Sequence, residues 1–181
     1  MADSQTSAGN VEKAALFILI VAAITWLGGV TIRWVLSGRL LVPGTLEFKP
    51  DLVPVVEREA FRMINYTSIL TLIGYVVVLL SGTVFLFSTQ LKLRENGWLM
   101  MAVLLFYMFT PVEIYTSYLD GKMISMELWR TPEPSLFREL FSKRVAALKG
   151  LPFIALLCYY TIIGLAIWQP LKKPKGFQPT Y

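Results

Sequence analysis

Four long apolar stretches restrict this chain to a helical membrane architecture. They run over about residues 14–35, 66–87, 98–118 and 151–168. A helix needs roughly 20 apolar residues to cross a hydrocarbon core about 30 Å thick. None of the stretches alternates as a barrel strand does, and an open sheet would leave backbone groups unpaired in lipid. The sequence therefore predicts an all-α, polytopic membrane protein: an antiparallel bundle of four transmembrane helices, forming one domain over residues 1–181.

Composition supports this fold class. Hydrophobic residues make up 55% of the chain and charged residues 16%, whereas a soluble domain carries about 25% charged residues. The chain is therefore short of groups that could cover a water-facing surface. The first stretch is longer than the apolar region of a secretory signal, and no small-residue cleavage site follows it, so we expect a retained helix.

Two of the connections have helical, amphipathic sequences. Residues 54–65 are predicted to extend the second span into one helix from about Pro54 to Phe87, with Asp51 as its N-cap. Residues 135–149 form a second amphipathic segment, with Ser135 as its N-cap. We expect both segments to lie at the membrane interface. The alternative for the second segment is packing against a soluble partner. Residues 170–181 are predicted to be an extended tail.

The basic residues predict an orientation. Both termini share one side, which has six Lys and Arg residues; the side of the two long connections has eleven. The positive-inside rule then places the long connections in the cytoplasm and the termini outside. The basic tail sequence KKPKG favours the opposite orientation.

Charged side chains within or beside the spans form the candidate polar site, which consists of Glu113, Asp120, Arg33 and Arg62. Glu113 lies about 22 Å along the third span, where an unpaired carboxylate is costly. Asp120 follows seven residues later on nearly the same helical face. Two interpretations remain open: a proton or cation site at Glu113, or a structural salt bridge from Glu113 to Arg33 or Arg62.

Small residues predict where the first two spans pack, because close backbone approach is a common means of association between membrane helices. The first span carries Ala15, Ala22 and Gly29 at steps of seven residues. The second span carries Gly74 and Gly82 on one face. We expect the first and second spans to contact each other along these two rows.

Histidine is absent from the chain and cysteine occurs once, as Cys158. The sequence also lacks CxxCH, P-loop and dinucleotide-binding motifs. We therefore expect no covalently attached or His-ligated cofactor, no catalytic residues and no metal site, and we expect bound lipid. Met101 and Met108 form a heptad pair that could ligate Cu(I), although methionine commonly fills gaps in apolar helices.

Three segments carry a resemblance to a known family: AAITWLGGVTIRW in the first span, then EREAFRMI leading into LTLIGYVVVLLSGTVF in the second. Together they resemble copper-resistance D type membrane proteins and their uncharacterised relatives, over the first half of the chain. The resemblance implies a four-helix protein of a bacterial inner membrane. The copper role of that group depends on histidine and methionine, and this chain has no histidine.

These features predict a non-catalytic accessory subunit of a larger membrane protein complex, such as a respiratory or other energy-transducing one. Its expected partners are membrane lipids and other membrane protein subunits, not nucleic acid. The alternatives are a small transporter or ion-handling protein that uses Glu113 with Asp120 or the methionines, and a membrane enzyme.

Overall fold

Five α-helices make up the computed structural model, which describes residues 2–89, 91–129 and 133–171. They are α1 (Ala2–Leu40), α2 (Pro54–Ser88), α3 (Gly97–Trp129), α4 (Pro134–Val145) and α5 (Leu151–Trp168), with a 3-10 turn at Ala147–Gly150. The described parts of the chain are all-helical, with a single isolated bridge between Leu41 and Phe48. Four helices, α1, α2, α3 and α5, are long and apolar enough to span a membrane.

Helices α2 and α3 continue beyond their apolar stretches. As predicted, the amphipathic residues 54–65 belong to the same helix as the second span. The N-cap is Val53, however, and the prediction of Asp51 was wrong; Pro54 lies in the first turn, where its missing N–H costs nothing. Helix α3 runs to Trp129, well past the predicted end at residue 118. Polar residues end an apolar stretch but do not break the backbone hydrogen bonds of a helix.

The segment before α5 is divided differently from the prediction. Helix α4 begins at Pro134 with Glu133 as its N-cap, so the prediction of Ser135 was wrong. The Ser135 hydroxyl instead donates a hydrogen bond to the Glu133 carboxylate at 3.0 Å. The helix ends at Val145, and Gly150, with a φ of 92°, leads into α5. Glycine suits this left-handed conformation because it has no Cβ. Of the predicted tail, residues 172–181 lie outside the described residues.

Helices α1 and α2 form the most extensive contact in the fold. Along this contact Glu12 meets Thr89, Leu19 meets Gly82, Trp26 meets Gly74, and Arg33 meets Ser68, so residue numbers rise on one helix as they fall on the other. A Cβ at Gly74 would lie 3.3 Å from the backbone of Trp26, and one at Gly29 would lie 2.5 Å from the Thr71 methyl group. The missing side chains let the two backbones approach.

An aromatic cap closes one end of the fold. It consists of Phe48, Phe61, Phe137 and Phe141 with Leu40, Leu41, Ile64 and Met123. The rings of Phe61 and Phe137 lie 4.3 Å apart, centroid to centroid. Phe137 and Phe141 of α4 are each 1% exposed. The apolar side of α4 therefore packs on the ends of α1, α2 and α3 of the same chain.

Helix α5 is held mainly by α3 and by ring contacts with α1. The Tyr159 ring lies 4.7 Å from the ring of Trp26, and the Phe153 ring lies 5.9 Å from that of Trp34. Thr31 and Tyr160 share a hydrogen bond of 3.1 Å. Only Ala155 and Tyr159 of α5 are buried. Most of the circumference of α5 is thus left for lipid or for another protein.

Replacing Gly74 with valine should force α1 and α2 apart. Because its Cβ would meet the Trp26 backbone, we expect Gly74→Val to lower the free energy of unfolding by about 1–3 kcal/mol or more. Gly28→Val is the matched control, since nothing lies within 4 Å of a Cβ at Gly28. Reversible unfolding in detergent measures both; equal losses for the two variants would contradict the close contact at Gly74.

Candidate functional site

A buried carboxylate bound by two arginines lies at the centre of the candidate site. Asp120 of α3 accepts a hydrogen bond of 2.6 Å from Nη1 of Arg33 on α1. It also accepts bonds from Arg144 of α4, at 2.8 Å from Nε and 3.4 Å from Nη2. Asp120 is 5% exposed and Arg33 is 7% exposed. We call these three residues the charged junction, because they join three helices that are distant in the sequence.

Polar side chains of α2 complete the surroundings of Arg33. Its Nη1 atom also donates to the hydroxyl oxygens of Ser68, at 3.0 Å, and Thr71, at 3.3 Å. These two residues belong to a buried polar row on α2, with Asn65 one turn earlier and Tyr75 one turn later. The row places hydrogen-bond acceptors along the side of α2 that faces α1, where a guanidinium would otherwise meet apolar groups alone.

Glu113 lies beside the junction without joining its ion pairs. A cavity of about 10 Å³, with room for about one water molecule, is lined by residues that include Trp26, Arg33, Thr71, Tyr75, Glu113 and Asp120. Within the described part of the chain, no Lys or Arg nitrogen lies within 4.0 Å of the Glu113 carboxylate. The Arg33 charge acts on Glu113 over a longer distance. The structural salt bridge considered for Glu113 is therefore made by Asp120.

Arg62, the fourth candidate residue, is separate from this site. Its side chain is 52% exposed, and its nearest carboxylate is that of Glu59, at 4.0 Å. The guanidinium lies over the ring of Tyr66, with 5.9 Å from Cζ to the ring centroid. The structure therefore brings together Arg33, Glu113 and Asp120 of the predicted residues, and leaves Arg62 outside.

Two further ion pairs surround the aromatic cap. Arg138 of α4 donates two hydrogen bonds to Glu57 of α2, at 2.5 and 2.6 Å. Arg58 of α2 binds Glu127 of α3 with two bonds of 2.8 Å. The hydrogen bond to Glu57 raises the pKa of Arg138, so the Arg138 guanidinium keeps its charge at physiological pH. Two parallel hydrogen bonds between a guanidinium and a carboxylate fix the orientation of the two groups as well as the distance between them.

The predicted helix-packing residues lie at or near the contact between α1 and α2. Ala15, Ala22 and Gly29 are buried, and Gly74 and Gly82 face Trp26 and Leu19.

Metal-binding geometry is not found in the described residues, where no group of three or more Asp, Glu and Cys side chains could hold an ion. Cys158, on α5, is partly buried and unpaired.

Sequence reasoning missed Arg144, Ser68 and Thr71. The signal for the two hydroxyls was present: Asn65, Ser68, Thr71 and Tyr75 recur at helical spacing inside an otherwise apolar run. Arg144 had no such signal. Its side chain reaches Asp120 because the aromatic cap docks α4 against α3, and that contact is not visible in the local sequence.

The fold and the site define the class of the protein. Four helices long and apolar enough to cross a bilayer, with the buried charges of Arg33 and Asp120 paired in the interior, indicate an integral membrane protein. No family model, curated protein or solved structure matches the chain. The resemblance to copper-resistance D type proteins therefore stays a prediction.

Removing the carboxylate at the centre of the junction should be costly. We expect Asp120→Asn to lower the free energy of unfolding by about 3–5 kcal/mol, because Arg33 would remain buried without a counter-charge. The matched control is Glu127→Gln, whose partner Arg58 is 41% exposed, and its expected cost is about 1 kcal/mol or less.

Unfolding in detergent measures both variants. The double variant Arg33→Gln/Asp120→Asn should lose less stability than the two single losses combined, since removing both partners leaves less uncompensated charge. Additive losses, or an Asp120→Asn cost no larger than that of Glu127→Gln, would contradict the central role of the ion pair.

Proposed function

We propose that this chain is a non-catalytic accessory subunit of a larger membrane protein complex. Its four long apolar helices would cross the bilayer as an antiparallel bundle, and its outer surface would contact other subunits and lipid. A respiratory or other energy-transducing complex is the class of assembly that we favour.

The main support is that the charges of the junction are paired within the chain. Asp120 is bound by Arg33 and Arg144, and Arg33 has further acceptors in Ser68 and Thr71. The cavity beside Glu113 is about 10 Å³, which is room for about one water molecule. An arrangement of this kind joins helices together and leaves little room for a substrate.

The outer surface of the helices gives a second line of support. In the most apolar window of α5, 11% of residues are buried, against 28% in each of the other three spans. Large apolar side chains of α5 face outward, among them Phe153, Leu157 and Ile167. A neighbouring subunit could bind to this long apolar face of α5, which the other helices of the chain leave exposed.

Topology and membrane identity are part of the same proposal. The basic residues of the long connections favour a cytoplasmic position for the aromatic cap and an outside position for both termini. The resemblance of the first half of the chain favours a bacterial inner membrane. Helices α2 and α4 would then meet the interface through their polar residues, with Phe137 and Phe141 turned onto the protein and not into lipid.

Purification in mild detergent tests the accessory role. We expect the native protein, tagged at its own chromosomal position, to elute as a heteromeric complex whose other subunits are identified by mass spectrometry. An unrelated membrane protein with the same tag serves as the control for adventitious partners. A monodisperse monomer or a homo-oligomer with no specific partner would overturn the proposal.

Ion handling by Glu113 is the second candidate function. One observation favours it: Glu113 lines a water-sized cavity beside Arg33 and forms no ion pair within 4.0 Å among the described residues. A carboxyl group in such a position could take up a proton from a water molecule.

Flux into proteoliposomes distinguishes the two candidates. For an accessory subunit we expect Glu113→Gln to leave proton and cation flux equal to that of the wild type and to leave the complex assembled. Glu95→Gln makes the same chemical change at an exposed residue and is the matched control. A flux that is lost in Glu113→Gln and kept in Glu95→Gln would establish ion handling instead.

A further inference from the structure

A second, larger pocket lies between the C-terminal half of α1 and the beginning of α5. Its volume is about 30 Å³, and its lining includes Arg33, Trp34, Ser37, Arg144, Pro152 and Phe153. Arg33 and Val30 line both this pocket and the smaller cavity beside Glu113. Two members of the charged junction, Arg33 and Arg144, thus line a pocket that Trp34 and Phe153 also line.

The pocket has an excess of positive charge. Two arginines line it, and their guanidinium groups share one carboxylate, that of Asp120, which is not part of the lining. No Asp or Glu occurs among the described residues that line it. The hydrogen bonds of Arg33 all come from Nη1, and those of Arg144 come from Nε and Nη2. Each guanidinium therefore keeps N–H groups that those bonds do not use.

Aromatic side chains indicate the level of the pocket relative to the membrane surface. Trp34 and Phe153 contact each other edge to face, and they remain 40% and 50% exposed. Phe153 lies in the first turn of α5, at one end of a candidate span of 18 residues, or about 27 Å. A span of that length just crosses the hydrocarbon core, so its first turn is expected at the level of the lipid headgroups. Tryptophan favours the same level.

The start of α5 adds to the positive potential. No side-chain hydrogen bond caps this helix, which begins after Gly150, and Gly150 and Pro152 both line the pocket. The N-terminal end of a helix carries a partial positive charge. This partial charge adds to the positive potential of the two arginines, which make the main contribution.

We propose that this pocket binds the phosphate group of an anionic phospholipid. The phosphate would accept hydrogen bonds from Arg33 and Arg144, and the acyl chains would follow the apolar surface of α5 toward the membrane centre, where Leu157 is exposed. The positive excess selects a lipid with net negative charge over a zwitterionic one. This site requires the chain to lie in a membrane, but it does not require the accessory role.

Native mass spectrometry of the full-length protein in detergent tests the site, with phosphatidylglycerol and phosphatidylcholine as probes. We expect the wild type to bind phosphatidylglycerol more tightly than phosphatidylcholine. Arg144→Gln should reduce that preference about fivefold, the effect of removing one cation near a lipid surface. Lys143→Gln is the matched control: it has the same charge change on an exposed residue that pairs with Glu139 and is absent from the lining. We expect it to change the preference less than twofold.

A second variant keeps the test decisive if Arg144→Gln does not fold. Ser37 donates only to the carbonyl of its own helix, at Arg33, so Ser37→Asp introduces a negative charge into the pocket with little loss of structure. It should reduce the preference at least as much as Arg144→Gln. The proposal is overturned if Ser37→Asp, or a folded Arg144→Gln, leaves the preference unchanged.

Two other results would also overturn it. An equal reduction in Lys143→Gln would assign the preference to the general surface charge. Displacement of the lipid by millimolar inorganic phosphate, with no remaining preference among lipids, would assign the pocket to a free anion.

Discussion

The arrangement of this fold depends on one buried carboxylate and its two arginines. Placing an ionised carboxylate and a guanidinium in a low-dielectric interior costs several kcal/mol for each ion, and their attraction offsets this cost only in good geometry. A cluster of this kind adds little net stability, but it disfavours every arrangement in which one of its members is unpaired. Asp120 thereby favours one set of relative positions of α1, α3 and α4, whereas apolar side chains alone would allow many different sets.

The contacts between the helices differ in their extent and in the groups that make them. The contact between α1 and α2 extends from Glu12 and Thr89 to Arg33 and Ser68, and the two helices approach closely at Gly29 and Gly74. The aromatic cap and the pairs Glu57–Arg138 and Arg58–Glu127 join α4, α2 and α3 at one end. Helix α5 relies on α3 and on rings from α1. The long helices therefore pair as α1 with α2 and α3 with α5, the contact between α2 and α3 is less extensive, and α5 keeps a large exposed apolar surface.

The local sequence predicted the helices well and the site in part. Apolar length located all four long helices, and the periodicity of residues 54–65 correctly joined them to α2. The caps at Asp51 and Ser135 were wrong because a proline begins each helix, so the residue before it, Val53 or Glu133, is the N-cap without any capping bond from its side chain. One of the two interpretations of Glu113 was a salt bridge to Arg33 or Arg62; among the described residues Arg33 binds Asp120 instead. Arg144 could not be found from local sequence, since its position depends on how Phe137 and Phe141 dock.

The order of the junction along the chain has a consequence for biosynthesis. Asp120 is translated after Arg33 but well before Arg144, and α5 follows immediately after. During insertion, the first three long helices therefore emerge from the ribosome with the carboxylate bound by one cation, and the second arrives only with the last third of the polypeptide. The pair of Asp120 and Arg33 is already neutral at that stage, so the arrival of Arg144 gives the junction a net positive charge and attaches α4 to the earlier helices.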